Sequence, residues 1–166
     1  MSDRAAPSST GAARRQPPDP AATLLGRPEG PPARLNGARV LVVEDDADSR
    51  ELICSILEMA GATVLCVDSV AQAMDGVYHS FDPDVVLTDF SMPAADGFDL
   101  IHEFRRVPST RTVAVPILIF SGHSGERWRA KALQAGAAEV LTKPLDPALL
   151  IVRILAALAP GRGEAR

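Results

Sequence analysis

The sequence is poor in cysteine and aromatic residues, and it has no long apolar run. It contains two cysteines and one tryptophan, and aromatic residues make up 4% of the chain. No segment approaches the ~20 apolar residues that a membrane span requires. Residues 1–13 also lack the apolar centre of a secretory signal. These absences predict a cytoplasmic protein without a membrane partner.

The two cysteines, Cys54 and Cys66, offer no metal-binding or redox motif. Each lies inside an apolar stretch, without CxxC spacing and without a neighbouring histidine. Free cysteines of this kind behave as small apolar side chains. We therefore expect two buried, reduced thiols.

An excess of basic charge is also absent. Residues 37–159 carry ten Lys and Arg against seventeen acids, and residues 1–36 carry five Arg against three acids. Nucleic-acid-binding proteins present a basic surface to the phosphate backbone. The acidic balance disfavours a nucleic-acid partner.

Proline divides the chain unevenly, because seven of its fourteen prolines lie in the first 32 residues. Residues 1–36 have no helical or strand periodicity, and their composition cannot bury enough apolar surface to fold. We predict a disordered tail over 1–36, one folded domain over 37–159 and a short C-terminal tail over 160–166.

Within the folded domain, five apolar runs alternate with five amphipathic segments. The predicted strands are Arg39–Val43, Thr63–Val67, Asp84–Thr88, Val115–Phe120 and Glu139–Thr142. The predicted helices are Ser49–Ala60, Val70–His79, Gly97–Arg105, Glu126–Ala135 and Pro147–Ala159. Helices of this length connect parallel strands through right-handed crossovers. The pattern predicts an α/β protein with a five-stranded parallel sheet between two helical layers.

Functional side chains follow four of the predicted strands: Glu44 and Asp45, then Asp89, Ser121 and Lys143. Ligands of such folds bind beyond the carboxyl ends of the strands. Carboxylates gathered there repel one another, so that either one of them holds a proton or a divalent cation lies among them. An all-oxygen site suits Mg²⁺. Taken singly, Asp45 or Asp46 could instead cap the first helix, and Asp89 or Ser121 could belong to a turn.

Lys143 stands out because fifteen of the seventeen basic residues are arginine. A lysine ammonium is a compact charge, whereas the arginine guanidinium is a planar fork. A lysine at a strand end beside Pro144 therefore indicates a chemical requirement, such as contact with a phosphoryl oxygen.

Together these segments resemble a known family over residues 38–159. The matching motifs are Glu44-Asp45 after RVLVV, VVLTD ending in Asp89, Met92-Pro93, Gly97, PILIFSG with Ser121, and GAAEVLTKP with Lys143-Pro144. Their order and spacing resemble the receiver domain of bacterial two-component response regulators. The resemblance implies a (βα)5 flavodoxin-like three-layer sandwich with strand order 2-1-3-4-5.

The resemblance also implies a metal site and a phosphoacceptor. Asp89 would accept a phosphoryl group from the phosphohistidine of a sensor histidine kinase or from a phosphotransfer protein. Mg²⁺ would be held by carboxylate oxygens of Asp45 and Asp89. Glu44 would bind it directly or through a water, and Ser91 through its backbone carbonyl.

The implied switch depends on Lys143 and Ser121, which would contact two oxygens of the phosphoryl group. Ser121 would then move inward and repack the face formed by the fourth helix, the fifth strand and the fifth helix. Two residues depart from the family pattern. Val140 stands where an aromatic residue usually moves with the hydroxyl, and Glu44 replaces the commoner aspartate.

Two further features bear on partners. Trp128 is expected to be at least partly exposed, either as an anchor for a partner or packed over a neighbouring loop. The last predicted helix has one charge in thirteen positions. It is either covered by a partner or a second subunit, which allows a homodimer, or it presents a harmless face of alanines. The histidines at 79, 102 and 123 share no motif and are interpreted as solvated or loop residues.

We predict a single-domain response regulator that signals through protein contacts to a downstream partner, since seven residues after Ala159 leave no room for an output domain. It would not be an enzyme beyond self-phosphotransfer and autodephosphorylation. The alternatives are a binding module that acts without phosphate, a phosphorelay shuttle or phosphate sink, and a Mg²⁺-dependent phosphohydrolase of the haloacid dehalogenase type. The last requires an acid two residues after its nucleophile, where Ser91 stands.

Overall fold

The computed structural model describes residues 34–108, 114–123 and 125–159. Most of the predicted N-terminal tail (1–33) and the predicted C-terminal tail (160–166) lie outside these residues. Within the described ranges, no helix has the length and apolar character needed to cross a membrane.

A parallel sheet forms the centre of the domain. Its strands are β1 (Arg39–Val43), β2 (Thr63–Val67), β3 (Val85–Asp89), β4 (Ile117–Ser121) and β5 (Glu139–Thr142). Their order is β2-β1-β3-β4-β5, and every neighbouring pair is parallel. The predicted fold class and strand order are confirmed. Strands β3 and β4 each begin and end one or two residues later than predicted, so that Asp89 and Ser121 are the last residues of their strands.

Five helices of at least nine residues accompany the strands in the described part of the chain. They are α1 (Ala47–Met59), α2 (Val70–Tyr78), α3 (Gly97–Arg106), α4 (Glu126–Ala135) and α5 (Pro147–Leu158). Helix α1 begins two residues earlier than predicted because the carboxylate of Asp46 accepts a hydrogen bond from the Ser49 N–H at 2.8 Å. Helix α4 ends at Gly136, whose φ of 109° lies in the left-handed region that glycine adopts without strain.

The helices cover both faces of the sheet. Residues of α1 and α5, such as Leu57 and Ile154, pack with Val40, Val42 and their neighbours on one face. Residues of α2, α3 and α4 pack on the opposite face, where Phe104 of α3 is fully buried. Successive strand residues point to opposite faces of a sheet, and both faces here are apolar. The three-layer arrangement predicted from the sequence is confirmed.

The predicted domain boundary is wrong at Leu35, which was assigned to the tail. Leu35 is 3% exposed and packs in the core beneath α1. Its N–H donates to the carbonyl of Ala60 at 2.8 Å, so the end of α1 holds the chain before β1 in place. The folded part therefore includes residues before 37.

The prediction of two reduced thiols is also wrong. Cys54 of α1 and Cys66 of β2 form a disulfide, with their Cα atoms 6.5 Å apart. That separation lies within the range that a disulfide spans. The burial of Cys54 was predicted correctly. Helix α1 lies against the neighbouring strand β2, and this packing brings together two cysteines that no local motif connects.

Candidate functional site

The carboxyl ends of the strands bring the predicted site residues to one edge of the sheet. Glu44 and Asp45 follow β1, Asp89 ends β3, Ser121 ends β4, and Lys143 follows β5. Backbone hydrogen bonds hold this edge together, because the N–H of Lys143 donates to the carbonyl of Ser121 at 2.8 Å. The parallel register therefore places residues up to 99 positions apart at one site.

Three carboxylates form a cluster at this edge. One oxygen each from Glu44, Asp45 and Asp89 lies within 4.8 Å of the other two. Glu44 is 1% exposed and Asp89 is 5% exposed, while Asp45 is half-buried. Hard divalent cations prefer such oxygen ligands, and Mg²⁺ typically binds one or two carboxylates together with water. The donor set fits Mg²⁺.

Lys143 supplies the positive charge within the cluster. Its Nζ atom lies 3.0 Å from Oε2 of Glu44 and 2.9 Å from Oδ1 of Asp89. The same ammonium lies 4.8 Å from the ring centre of Phe120, a cation–π distance. Lys143 is one-third exposed, so that its charged end lies between the buried carboxylates and the surface.

The pKa values of two groups follow from this arrangement. Burial raises the pKa of Glu44, with a further contribution from the negative charge of Asp89, although the hydrogen bond from Lys143 opposes the increase. Burial acts to lower the pKa of Lys143, but its hydrogen bonds to Asp89 and Glu44 outweigh this effect and raise it. Lys143 is therefore a permanent cation near neutral pH.

Ser121 is buried at the end of β4, and its hydroxyl is engaged by the loop that follows. The backbone N–H of His123 donates to Oγ of Ser121 at 3.0 Å, and Nδ1 of the same histidine lies 3.3 Å from that oxygen. A serine hydroxyl can rotate, and it can donate a hydrogen bond as well as accept one.

Aromatic rings join the two loops beside the site, and sequence reasoning missed this feature. Phe90, the residue after Asp89, packs edge-on against Trp128 of α4 with ring centres 4.9 Å apart. The ring of His123 stacks on Trp128 with centres 6.1 Å apart and planes 19° apart. Trp128 is half-buried and packs over neighbouring loops, which is one of the two alternatives predicted for it. The sequence pointed to this cluster only in that Trp128 is the single tryptophan of the chain.

Val140, which stands where the family pattern has an aromatic residue, is buried. Its side chain is 6% exposed and packs in the core beneath α2, α3 and α4. Its carbonyl accepts a hydrogen bond from Nη1 of Arg129 at 3.1 Å. This bond connects α4 to β5.

Ser91 lies two residues beyond Asp89 at the same edge of the sheet and is exposed. A site residue that the sequence did not indicate is Arg50 of α1. Its Nη1 donates to the backbone carbonyls of Glu44 and Asp45 at 2.7 and 3.2 Å, which fixes the loop that carries both acids. No sequence motif links Arg50 to the two acids, which precede it by six and five residues.

Helix α5 presents an apolar outer face. Leu150 and Ile154 are buried, whereas Leu149 and Val152 are 48% and 51% exposed. The alternative of a face formed mainly by alanine is therefore wrong for this part of the helix.

Residues 40–155 match the family described as the response regulator receiver domain. Among curated proteins, the chain is 34% identical over 132 residues to the phosphate regulon transcriptional regulatory protein PhoB of Pseudomonas aeruginosa, covering 78% of this chain and 56% of that protein. It is 36% identical over 112 residues to an uncharacterized 14.6 kDa protein of Leptolyngbya boryana, covering 68% of this chain and 83% of that protein. The chain spans about half the length of the PhoB proteins that it matches.

Solved structures show the same fold. A response regulator receiver domain protein from Clostridium thermocellum superposes with a TM-score of 0.65 at 28% identity, covering 73% of this chain and 94% of that one. A sensor protein from Polaromonas sp. JS666 superposes with a TM-score of 0.62 at 30% identity, covering 73% of this chain and 95% of that one.

Proposed function

Because the chain belongs to the response regulator receiver domain family, we propose that it accepts a phosphoryl group on Asp89 from a sensor histidine kinase or a phosphotransfer protein. The observation that carries this proposal is the setting of Asp89. Its carboxylate ends a central strand, lies 2.9 Å from the Lys143 ammonium and belongs to a cluster of three acids.

In the proposed reaction, a carboxylate oxygen of Asp89 attacks the phosphorus of the donor. The bond between phosphorus and the donor histidine nitrogen breaks, and an acyl phosphate forms on Asp89. Phosphoryl transfer is catalysed mainly by alignment and by neutralisation of the phosphoryl oxygens. Lys143 provides one positive charge, and the burial of Asp89 limits competing water.

The residues that would hold Mg²⁺ are Asp45, Asp89, Glu44 and the backbone carbonyl of Ser91. When bound, the ion neutralises phosphoryl charge during transfer. Lys143 neutralises part of the negative charge of Glu44 and Asp89, and Arg50 keeps the loop with Glu44 and Asp45 in place.

After transfer, Ser121 would donate its hydroxyl to a phosphoryl oxygen and move toward Asp89. Phosphorylation adds charge and acceptor oxygens that bias a two-state surface. We propose that the surface is the face of α4, β5 and α5, and that it contacts a downstream protein. Action as a single-domain regulator in the cytoplasm is part of the same proposal. The similarity to a 14.6 kDa protein, 83% of which is covered, supports the single-domain type.

The test is intact-protein mass spectrometry after incubation with acetyl phosphate and Mg²⁺. We expect a gain of about 80 Da, one phosphoryl group, that requires Mg²⁺ and is lost in Asp89→Asn. Asp68→Asn is the matched control, because Asp68 follows β2 at the same edge, is exposed and lies outside the carboxylate cluster. No adduct in the wild type between seconds and an hour, with no phosphate release, would contradict the proposal and favour a phosphate-independent binding module.

The homodimer is a separate part of the proposal and rests on the exposed side chains of α5. Light scattering with and without beryllofluoride, a phosphoryl mimic, should show a dimer that Val152→Glu disrupts. Met59→Glu is the control, since Met59 is 89% exposed at the end of α1. A wild type that stays monomeric in both conditions would exclude the dimer.

A further inference from the structure

Signal transfer from Ser121 to α4 requires a physical connection, and position 140 does not supply one. Val140 is buried in the core and has no ring that could change its exposure. A branched side chain packed on all sides cannot follow a moving hydroxyl without opening a cavity. The connection in this protein must use other residues.

His123 and Trp128 provide a continuous path of contacts. The hydroxyl of Ser121 accepts from the N–H of His123 and lies 3.3 Å from its Nδ1. The histidine ring stacks on Trp128, which lies in the first turn of α4. The next residue, Arg129, donates to the carbonyl of Val140 in β5. Each link in this path is a direct contact.

Trp128 also contacts the residue that follows the proposed phosphoacceptor. Phe90 follows Asp89 directly and contacts both Trp128 and His123, with ring centres 4.9 and 6.0 Å apart. The indole Nε1 of Trp128 is buried and has no acceptor among the described residues. A buried donor without an acceptor adds a free-energy cost to the conformation that contains it.

We propose that the His123–Trp128 stack couples Ser121 to α4 and β5 in this protein, a role that the residue at position 140 does not fill here. The inference rests on the proposed phosphorylation of Asp89. When the Ser121 hydroxyl turns toward the phosphoryl group, its contacts with His123 weaken. The histidine ring and Trp128 then shift together, and Arg129 passes the shift of α4 to β5.

The test compares hydrogen exchange of residues 126–142 with and without Mg²⁺ and beryllofluoride. The wild type should show altered exchange in α4 and β5 and a change in the fluorescence of Trp128, the only tryptophan. His123→Ala and Trp128→Leu should lose at least half of the exchange response. His102→Ala is the matched control, because His102 is exposed on α3 and should respond as the wild type does.

Arg129→Ala separates the two halves of the path. It should retain the Trp128 fluorescence change and lose the exchange response of β5. Phosphoryl loading of every variant is measured by intact mass in parallel samples incubated with acetyl phosphate and Mg²⁺. Normal loading with an unchanged exchange response in both His123→Ala and Trp128→Leu would overturn the coupling alone. Absence of loading in the wild type would overturn the proposed function, and this inference with it.

Discussion

Replacement of Lys143 by methionine tests the electrostatics of the site without any phosphoryl donor. Methionine keeps much of the length of the side chain and removes its charge. Glu44 and Asp89 then lose the cation that lies 3.0 and 2.9 Å from their oxygens. Two buried carboxylates and the half-buried Asp45 would repel one another without compensation.

The expected loss of stability follows from these distances. At an effective dielectric constant of about 20, each pair attracts by roughly 5–6 kcal/mol before the cost of desolvation is subtracted. Removal of one partner of a fully buried pair typically costs about 3–5 kcal/mol. Lys143 is 33% exposed, and solvent screens part of the interaction. We therefore expect Lys143→Met to lower the free energy of unfolding by about 2–3 kcal/mol at pH 7.

The assay is urea unfolding at low salt, with and without millimolar Mg²⁺. Mg²⁺ should stabilise Lys143→Met more than the wild type, because the ion no longer competes with an ammonium for Glu44 and Asp89. Lys131→Met is the control: Lys131 is the only other lysine, it is exposed on α4, and its loss should cost less than about 1 kcal/mol. A Lys143→Met protein as stable as the wild type without Mg²⁺, or with an equal response to Mg²⁺, would refute the reasoning.

Three further predictions concern single side chains. Asp45→Asn should weaken Mg²⁺ binding at least roughly tenfold, measured by calorimetric titration, because it neutralises one of three clustered carboxylates. Phe104→Ala should lower the free energy of unfolding in urea by about 3–5 kcal/mol, because Phe104 is fully buried between α3 and the sheet. Asp46→Ala should destabilise the protein at neutral pH. Hydrogen bonds from Ser49 lower the pKa of Asp46 below its ordinary value of 3.8. The stability that the ionised Asp46 contributes is therefore complete above pH 3.8 and is lost as the pH falls below that value. Urea unfolding of the wild type and the variant at several pH values measures this loss.

The fold and the positions of the site residues could be predicted because they depend on local patterns. Apolar runs of four to six residues that alternate with amphipathic helices allow few arrangements besides a parallel sheet. Once the sheet is parallel, the residues that follow the strands must meet at one edge. Asp89 and Lys143 therefore come together, although 53 residues separate them along the chain.

Contacts that depend on how helices lie on the sheet could not be predicted. The Cys54–Cys66 disulfide requires α1 to pack beside β2 with one particular rotation, which periodicity alone does not determine. Leu35 was predicted to belong to the proline-rich tail, whereas its packing beneath α1 and its hydrogen bond to Ala60 place it in the core. In both cases the decisive partner is distant in sequence or belongs to another element.

The departure at Val140 shows the same limit at the functional site. The sequence shows only that position 140 lacks the aromatic ring usual in the family. It does not show that the rings of Phe90, His123 and Trp128 meet, because these residues lie in three segments that share no motif. Their rings meet because the loops after β3 and β4 leave adjacent strands and α4 begins beside both. The packing of α4 thus connects the missing ring at position 140 with the aromatic cluster around Trp128. If coupling in this protein uses that packing, its strength depends on the fit of His123 against Trp128 and not on the size of the residue at position 140.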